Sequence, residues 1–207
     1  MSDKQFTILG RGGNGCVFTL GRNSFDNHEY VGKMKYSNIH TWSDGQLQDL
    51  SEFMNIQNKI FASDPDERYF ITTRDIVKMK VYDDQIRECN MMKPRRKVGR
   101  PDPEDYDIFV QRRVNVAPDP STWSKTQADH ALQGLFLLHS LGFVHGDIAF
   151  KNFGFLNGNP VYIDMDSVMY AKRPSIRERD GRSVIELDDT AEKDIFDLSD
   201  MFIRQFK

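Results

Sequence analysis

Three short segments concentrate the side chains that could do chemistry. Gly10-Arg11-Gly12-Gly13-Asn14-Gly15-Cys16-Val17 is glycine-rich, with spacing that lets backbone approach a polyphosphate and aim N–H groups at it. His145-Gly146-Asp147-Ile148-Ala149-Phe150-Lys151-Asn152 puts a carboxylate and a carboxamide on one tight loop. That pair suits phosphoryl transfer: the carboxylate orients an attacking hydroxyl, and the amide oxygen helps hold a metal ion. Ile163-Asp164-Met165-Asp166 adds carboxylates after a short apolar strand, Pro160 to Ile163, where a second ligand for a hard cation is wanted. Each segment also has a bland reading: a flexible hairpin, a polar loop, a solvated carboxylate.

The elements around these segments follow from pattern. Strands are expected at Phe6 to Leu9, Cys16 to Leu20 and His28 to Tyr36, separated by Gly, Asn and Ser turns. The glycine run therefore leads into a strand, whereas the dinucleotide-binding version leads into a helix. Leu47, Leu50, Phe53, Met54, Ile60 and Phe61 recur at helical spacing, predicting a helix from about Asp44 to Phe61, broken by Ser63-Asp64-Pro65-Asp66. Further strands are expected at Tyr69 to Thr73 or Ile76 to Val81, and near Tyr106 to Val110. Ala117-Pro118-Asp119-Pro120 reads as a hinge. Ser124 and Gln127 form a capping-box pattern, opening a helix with Ala128, Ala131, Leu132, Leu135 and Leu138 on its apolar face and a stop at Gly142. Asn157-Gly158-Asn159 reads as a tight turn between two short strands. Ile195, Leu198, Phe202 and Phe206 are spaced for one face of a final helix. Strands first and helices second give an α+β arrangement of two lobes.

In this order the segments resemble a eukaryotic-type protein kinase, in a compact form such as large DNA viruses encode. Gly10, Gly12, Gly15 and Val17 match the family's G-x-G-x-x-G-x-V loop, with Gly13 inside it. Lys33 fits the third-strand lysine. Lys35, on the same strand face, competes for the role, but choosing it would put charged Lys33 where the family roofs the adenine, a place that Lys33 leaves to Val31. Glu52 fits the helix glutamate that pairs with this lysine, and Ile56 would pack inward towards Met165 and His145. His145, Asp147 and Asn152 match the H-R-D-L-x-x-x-N loop. Asp164 matches the metal-binding Asp of D-F-G, and Asp194 the residue that anchors the catalytic loop backbone. The resemblance implies a two-lobed protein-kinase-like fold: one domain over residues 1–207, with a strand-rich N-lobe at 1–113 and a truncated helical C-lobe at 114–207. A basic insertion falls at about 91–105. The implied reaction is transfer of the ATP γ-phosphate to a protein Ser, Thr or Tyr hydroxyl. Asp147 is the base, Lys33 and Lys151 assist, and Asn152 and Asp164 hold Mg²⁺.

The sequence departs from that pattern at four places. Gly146 replaces the Arg that receives an activation-loop phosphate, so activity without that phosphorylation is expected. Ala149 replaces a γ-phosphate-contacting Lys, with Lys151 two positions later able to serve. Met165-Asp166 replaces Phe-Gly, and no A-P-E motif occurs. Two alternatives remain. One is a catalytically weak kinase-fold protein that binds a host kinase or scaffold; the other is a small-molecule phosphotransferase like aminoglycoside or choline kinases.

Composition sets the outer bounds. The chain has 207 residues, with 28 Lys and Arg against 31 Asp and Glu for a net charge of −3, and a mean hydropathy of −0.59. This excludes a generally basic nucleic-acid coat. Arg95, Arg96, Lys97 and Arg100 form one basic loop, over residues 93–100, more simply read as solvated than as a nucleic-acid tip. Two cysteines, Cys16 and Cys89, are too few for a disulfide framework or a zinc site and fit a reducing compartment. Cys16 reads as a small packing residue, and His28, His40, His130 and His139 as structural or surface groups. No signal run or spanning segment is read, so the expected location is cytoplasmic (host cytoplasm or virion if viral), with the nucleus open. The expected partner is a protein substrate or scaffold; oligomeric state is left open.

Overall fold

The computed structural model describes residues 7–11, 15–20, 29–35, 44–81, 104–172, 175–179, 182–186 and 189–203. Gly12, Gly13, His28, His40, Cys89, Phe206 and the basic loop lie outside them. The fold is mixed α+β and divides into two compact units, residues 1–52 with 73–113, and residues 53–72 with 114–207.

The first unit is built on one antiparallel sheet: β1 (Ile8–Arg11), β2 (Gly15–Thr19), β3 (Tyr30–Lys35), β4 (Thr73–Val81) and β5 (Glu104–Arg112), in the order β1-β2-β3-β5-β4. Side chains alternate across a strand, so each face has its own set. Cys16, Phe18, Met34, Tyr106 and Ile108 form the buried cluster on one face. Gly32 shares it because nothing larger fits: a Cβ there would lie 2.7 Å from Ile108 Cγ2 and 2.8 Å from both Leu20 Cδ2 and Phe18 Cε2. Cys16 packs in this cluster, as expected, and is also disulfide-bonded, which its sequence context did not suggest.

Helix α1 (Asp44–Ser63) runs across the division, and its residues from Phe53 onward belong to the second unit. Its end is set by Asp64, a buried carboxylate that accepts from the backbone N–H groups of Arg68, Tyr69 and Phe70 at 2.9, 2.8 and 3.0 Å. These bonds shape the loop to β4 and satisfy donors that burial would otherwise penalise.

Helix α2 (Lys125–Ser140) opens with both halves of the capping box, Ser124 Oγ accepting from Gln127 N and Gln127 Oε1 from Ser124 N. Ala131, Leu135 and Leu138 bury its apolar face. The expected hinge contains a short 3-10 turn capped by Asp119, and Trp123 Nε1 donates to Pro118 O at 2.9 Å. Strands β6 (Asn115–Val116), β8 (Phe153–Leu156) and β9 (Asn159–Tyr162) form a three-stranded sheet. Strands β7 (Phe143–Val144) and β10 (Met169–Tyr170) pair, as do β11 (Ser175–Arg179) and β12 (Arg182–Glu186).

Helix α3 (Asp189–Ile203) corrects the expected stripe. Leu198 is buried and Phe202 packs on the core, but Ile195 is 37% exposed and its neighbour Asp194 only 1%. The buried slot at that turn holds a carboxylate because that carboxylate has backbone partners there. The core combines Ile56, Ile60 and Phe70 with Leu135, Tyr162, Met165 and Leu198. Among the described residues, no helix is long and apolar enough to cross a membrane.

Candidate functional site

In the first unit, strand register gathers the expected nucleotide-facing residues. Gly10 pairs with Val17, Val17 with Lys33, and Val31 with Thr19. Directly opposed residues share a face, so Gly10, Gly15, Val17, Val31 and Lys33 all lie on the sheet face opposite the Phe18–Met34 cluster. Val31 is buried, while Val17 and Lys33 are half-buried. Glu52 is exposed on α1, and no pairing of it with Lys33 occurs among the described residues. An exposed helix carboxylate is satisfied by water.

In the second unit, the loop after β7 is held from beneath by Asp194. Its Oδ2 accepts from His145 N at 2.7 Å and its Oδ1 from Gly146 N at 2.9 Å. His139 Nε2, at the end of α2, lies 3.2 Å from the same Oδ2. The sequence pattern assigns His139 only a structural or surface place; nothing in its α2 position signals that it shares the loop's anchor. Gly146 has φ +77°, a conformation an Arg would adopt only under strain, so the backbone itself accounts for glycine here.

Asp147 and Asn152 are joined across this loop. Asn152 Nδ2 donates to Asp147 O at 2.8 Å and to Asp147 Oδ2 at 2.9 Å. Both amide hydrogens are thus committed, which fixes the carboxamide's orientation and leaves Oδ1 as its acceptor. Lys151 Nζ stands 3.7 Å from Asp147 Oδ2, on an exposed side chain. Asn152 is buried and Asp147 remains about half exposed, so the loop presents one carboxylate and buries its support. A cavity of about 320 Å³ adjoins it, lined by Asp147, Ile148, Lys193, Asp197, Asp200 and Met201.

Asp164 follows β9 in a left-handed conformation, φ 31° and ψ 52°. It is tied to the loop through its neighbour, since Ile163 N donates to Asn152 O at 2.9 Å. His145 is fully buried, its ring 5.6 Å from that of Tyr162. Burial holds its pKa below the ordinary imidazole value, although Asp194, Asp147 and Asp166 pull it upward.

No group of three His, Cys, Asp or Glu able to hold a metal occurs among the described residues. An Asn amide oxygen and one carboxylate, completed by phosphate oxygens and water, is nonetheless the hard-donor set Mg²⁺ takes, and Asn152 and Asp164 fit it. Gln57, which sequence reading did not single out, reaches this segment from α1; its only signal was a polar residue directly after Ile56 on a helix with an apolar stripe. No protein-family model matches the chain, and no curated protein matches it.

Proposed function

We propose that the chain is an ATP- and Mg²⁺-dependent protein kinase. On this reading the strand-rich unit corresponds to an N-lobe and the second unit to a C-lobe. The observation that carries it is the Asp147–Asn152 pair, bonded side chain to side chain and anchored by the buried Asp194. A loop needing only to turn has no use for a carboxamide spent on holding a half-exposed carboxylate.

Asp147 accepts the proton of an incoming hydroxyl as its oxygen attacks the γ-phosphorus, and the bond to the β–γ bridging oxygen breaks to release ADP. Lys151, beside Asp147, faces the charge that develops on the transferred group. Lys33 serves the α- and β-phosphates, and Gly10, Gly15 and Val17 the close backbone approach to the nucleotide. Mg²⁺ held by Asn152 and Asp164 would neutralise phosphate charge. The cavity beside Asp147 supplies room for the acceptor side chain.

The exposure of Glu52, with no pairing to Lys33 among the described residues, favours a second reading, a kinase-fold protein that binds nucleotide or a scaffold without turnover. Labelled ATP, Mg²⁺ and generic protein substrates, with Asp147→Ala as control, separate the two. The kinase reading expects transfer that falls about 100-fold or more in the variant. Stabilisation by nucleotide with no transfer supports the binding protein; at 100 times Kd it amounts to about 2.7 kcal/mol.

A further inference from the structure

The turn at Asp164 is left-handed, a conformation that aspartate adopts more readily than most side chains but that still costs more than the right-handed one. Such backbone persists where its surroundings over-determine it. The Asp164 side chain does not cap the following turn, and the backbone is held on both sides of it. Upstream, Ile163 N is held by Asn152 O at 2.9 Å. Downstream, Met165 is 1% exposed in the core, and its carbonyl accepts from Gln57 Nε2 at 3.1 Å.

Gln57 is itself 1% exposed, on the part of α1 that belongs to the second unit. It follows Ile56 and precedes Ile60, both buried in the core. An apolar side chain would satisfy that position, and a buried amide is costly unless bonded. The amide is spent on the carbonyl next to the proposed metal ligand.

We propose that Gln57 is a positioning residue. From α1 its amide fixes the Asp164–Met165 turn, so that Asp164 keeps the left-handed backbone in which it serves the Mg²⁺ of the proposed reaction. The metal part rests on the proposed function; the restraint on the turn rests on geometry alone.

The test uses the full chain with Gln57→Met, which keeps length and flexibility but removes the donor. Hydrogen exchange followed by mass spectrometry should show residues 165–168 exchanging about tenfold faster, the scale of one lost net hydrogen bond, while α2 and β8–β9 keep wild-type rates. Half-saturating Mg²⁺ for phosphoryl transfer should rise by about the same factor, with kcat at saturating Mg²⁺ changed by no more than about twofold. Unchanged exchange at 165–168, or a rise spread evenly over the second unit, overturns the proposal. If Gln57→Met does not fold, Gln57→Leu, which lacks the donor and adds no charge, is read by the same exchange contrast. A wild-type chain that binds no Mg²⁺–nucleotide would sink the proposed function, while the exchange contrast still judges the restraint.

Discussion

His145 is kept neutral by where it sits. The ring is fully buried, and its Nδ1 accepts from Asp147 N at 3.4 Å. This leaves the neutral ring's one proton on Nε2, without a hydrogen-bond partner among the described residues. A second proton would have to go on Nδ1 against that donor and with no water around the charge. Burial outweighs the nearby carboxylates of Asp194, Asp147 and Asp166, and the folded-state pKa lies below the unfolded value of 6.5. The unfolded chain therefore binds more protons than the folded one in the window below 6.5. Stability is full above that value and is lost as pH falls towards the folded ring's own pKa. The slope from this residue is at most about 1.4 kcal/mol per pH unit. Urea unfolding from pH 7.5 to 5 should show wild type losing stability through this window more steeply than His145→Phe. Equal slopes would mean the ring is solvated. At this scale the sequence was informative where a motif named the residue, as with Asp147, Asn152 and Asp194. It was silent on Gln57 and His139, whose partners lie far along the chain.

At the scale of elements, the first sheet depends on a missing side chain. Gly32 lies between Val31 and Lys33, on the face packed against Phe18 and Ile108, and an added methyl would meet three side-chain atoms within 2.8 Å. Overpacking of this kind costs about 1–3 kcal/mol, against about 0.4–1 kcal/mol gained by restricting the unfolded chain. Gly32→Ala should thus lower stability by about 1–2 kcal/mol, read as a reduced urea midpoint at unchanged m-value; an equal or higher midpoint would show that the core yields. The strand holding Gly32 and Lys33 was legible because it is short, partly β-branched or aromatic, and bounded by turn signals. The α2 capping box was legible because both of its partners are local. The two-residue β7 and β10 were not, being too short to carry a period, and the β11–β12 hairpin is too polar to stand out. Hydrophobicity alone places the α3 stripe one residue off, because a carboxylate with two backbone donors outcompetes an isoleucine for that slot.

At the scale of the whole molecule, strands before helices gave the α+β class, but linear order hides an interleaving. The chain passes between its two units at 52/53, 72/73 and 113/114. The middle segment supplies Ile56, Ile60 and Phe70 to the core of the second unit. It also exchanges backbone bonds with β9, Ile71 N to Tyr162 O at 2.8 Å and Tyr162 N to Tyr69 O at 2.7 Å. Burying each of the three apolar side chains is worth about 1.5–3 kcal/mol, together a large part of the 5–15 kcal/mol that keeps a domain folded. A fragment of residues 114–207 should therefore lack a cooperative urea transition. Residues 53–72 joined to 114–207 by a short Gly/Ser linker should regain one, because Thr73 pairs with Gln111 and the ends to be joined lie close together. Near-UV circular dichroism would show fixed aromatic packing in the joined fragment alone. Cooperative unfolding of 114–207 by itself would mean that the middle segment only decorates a core complete without it.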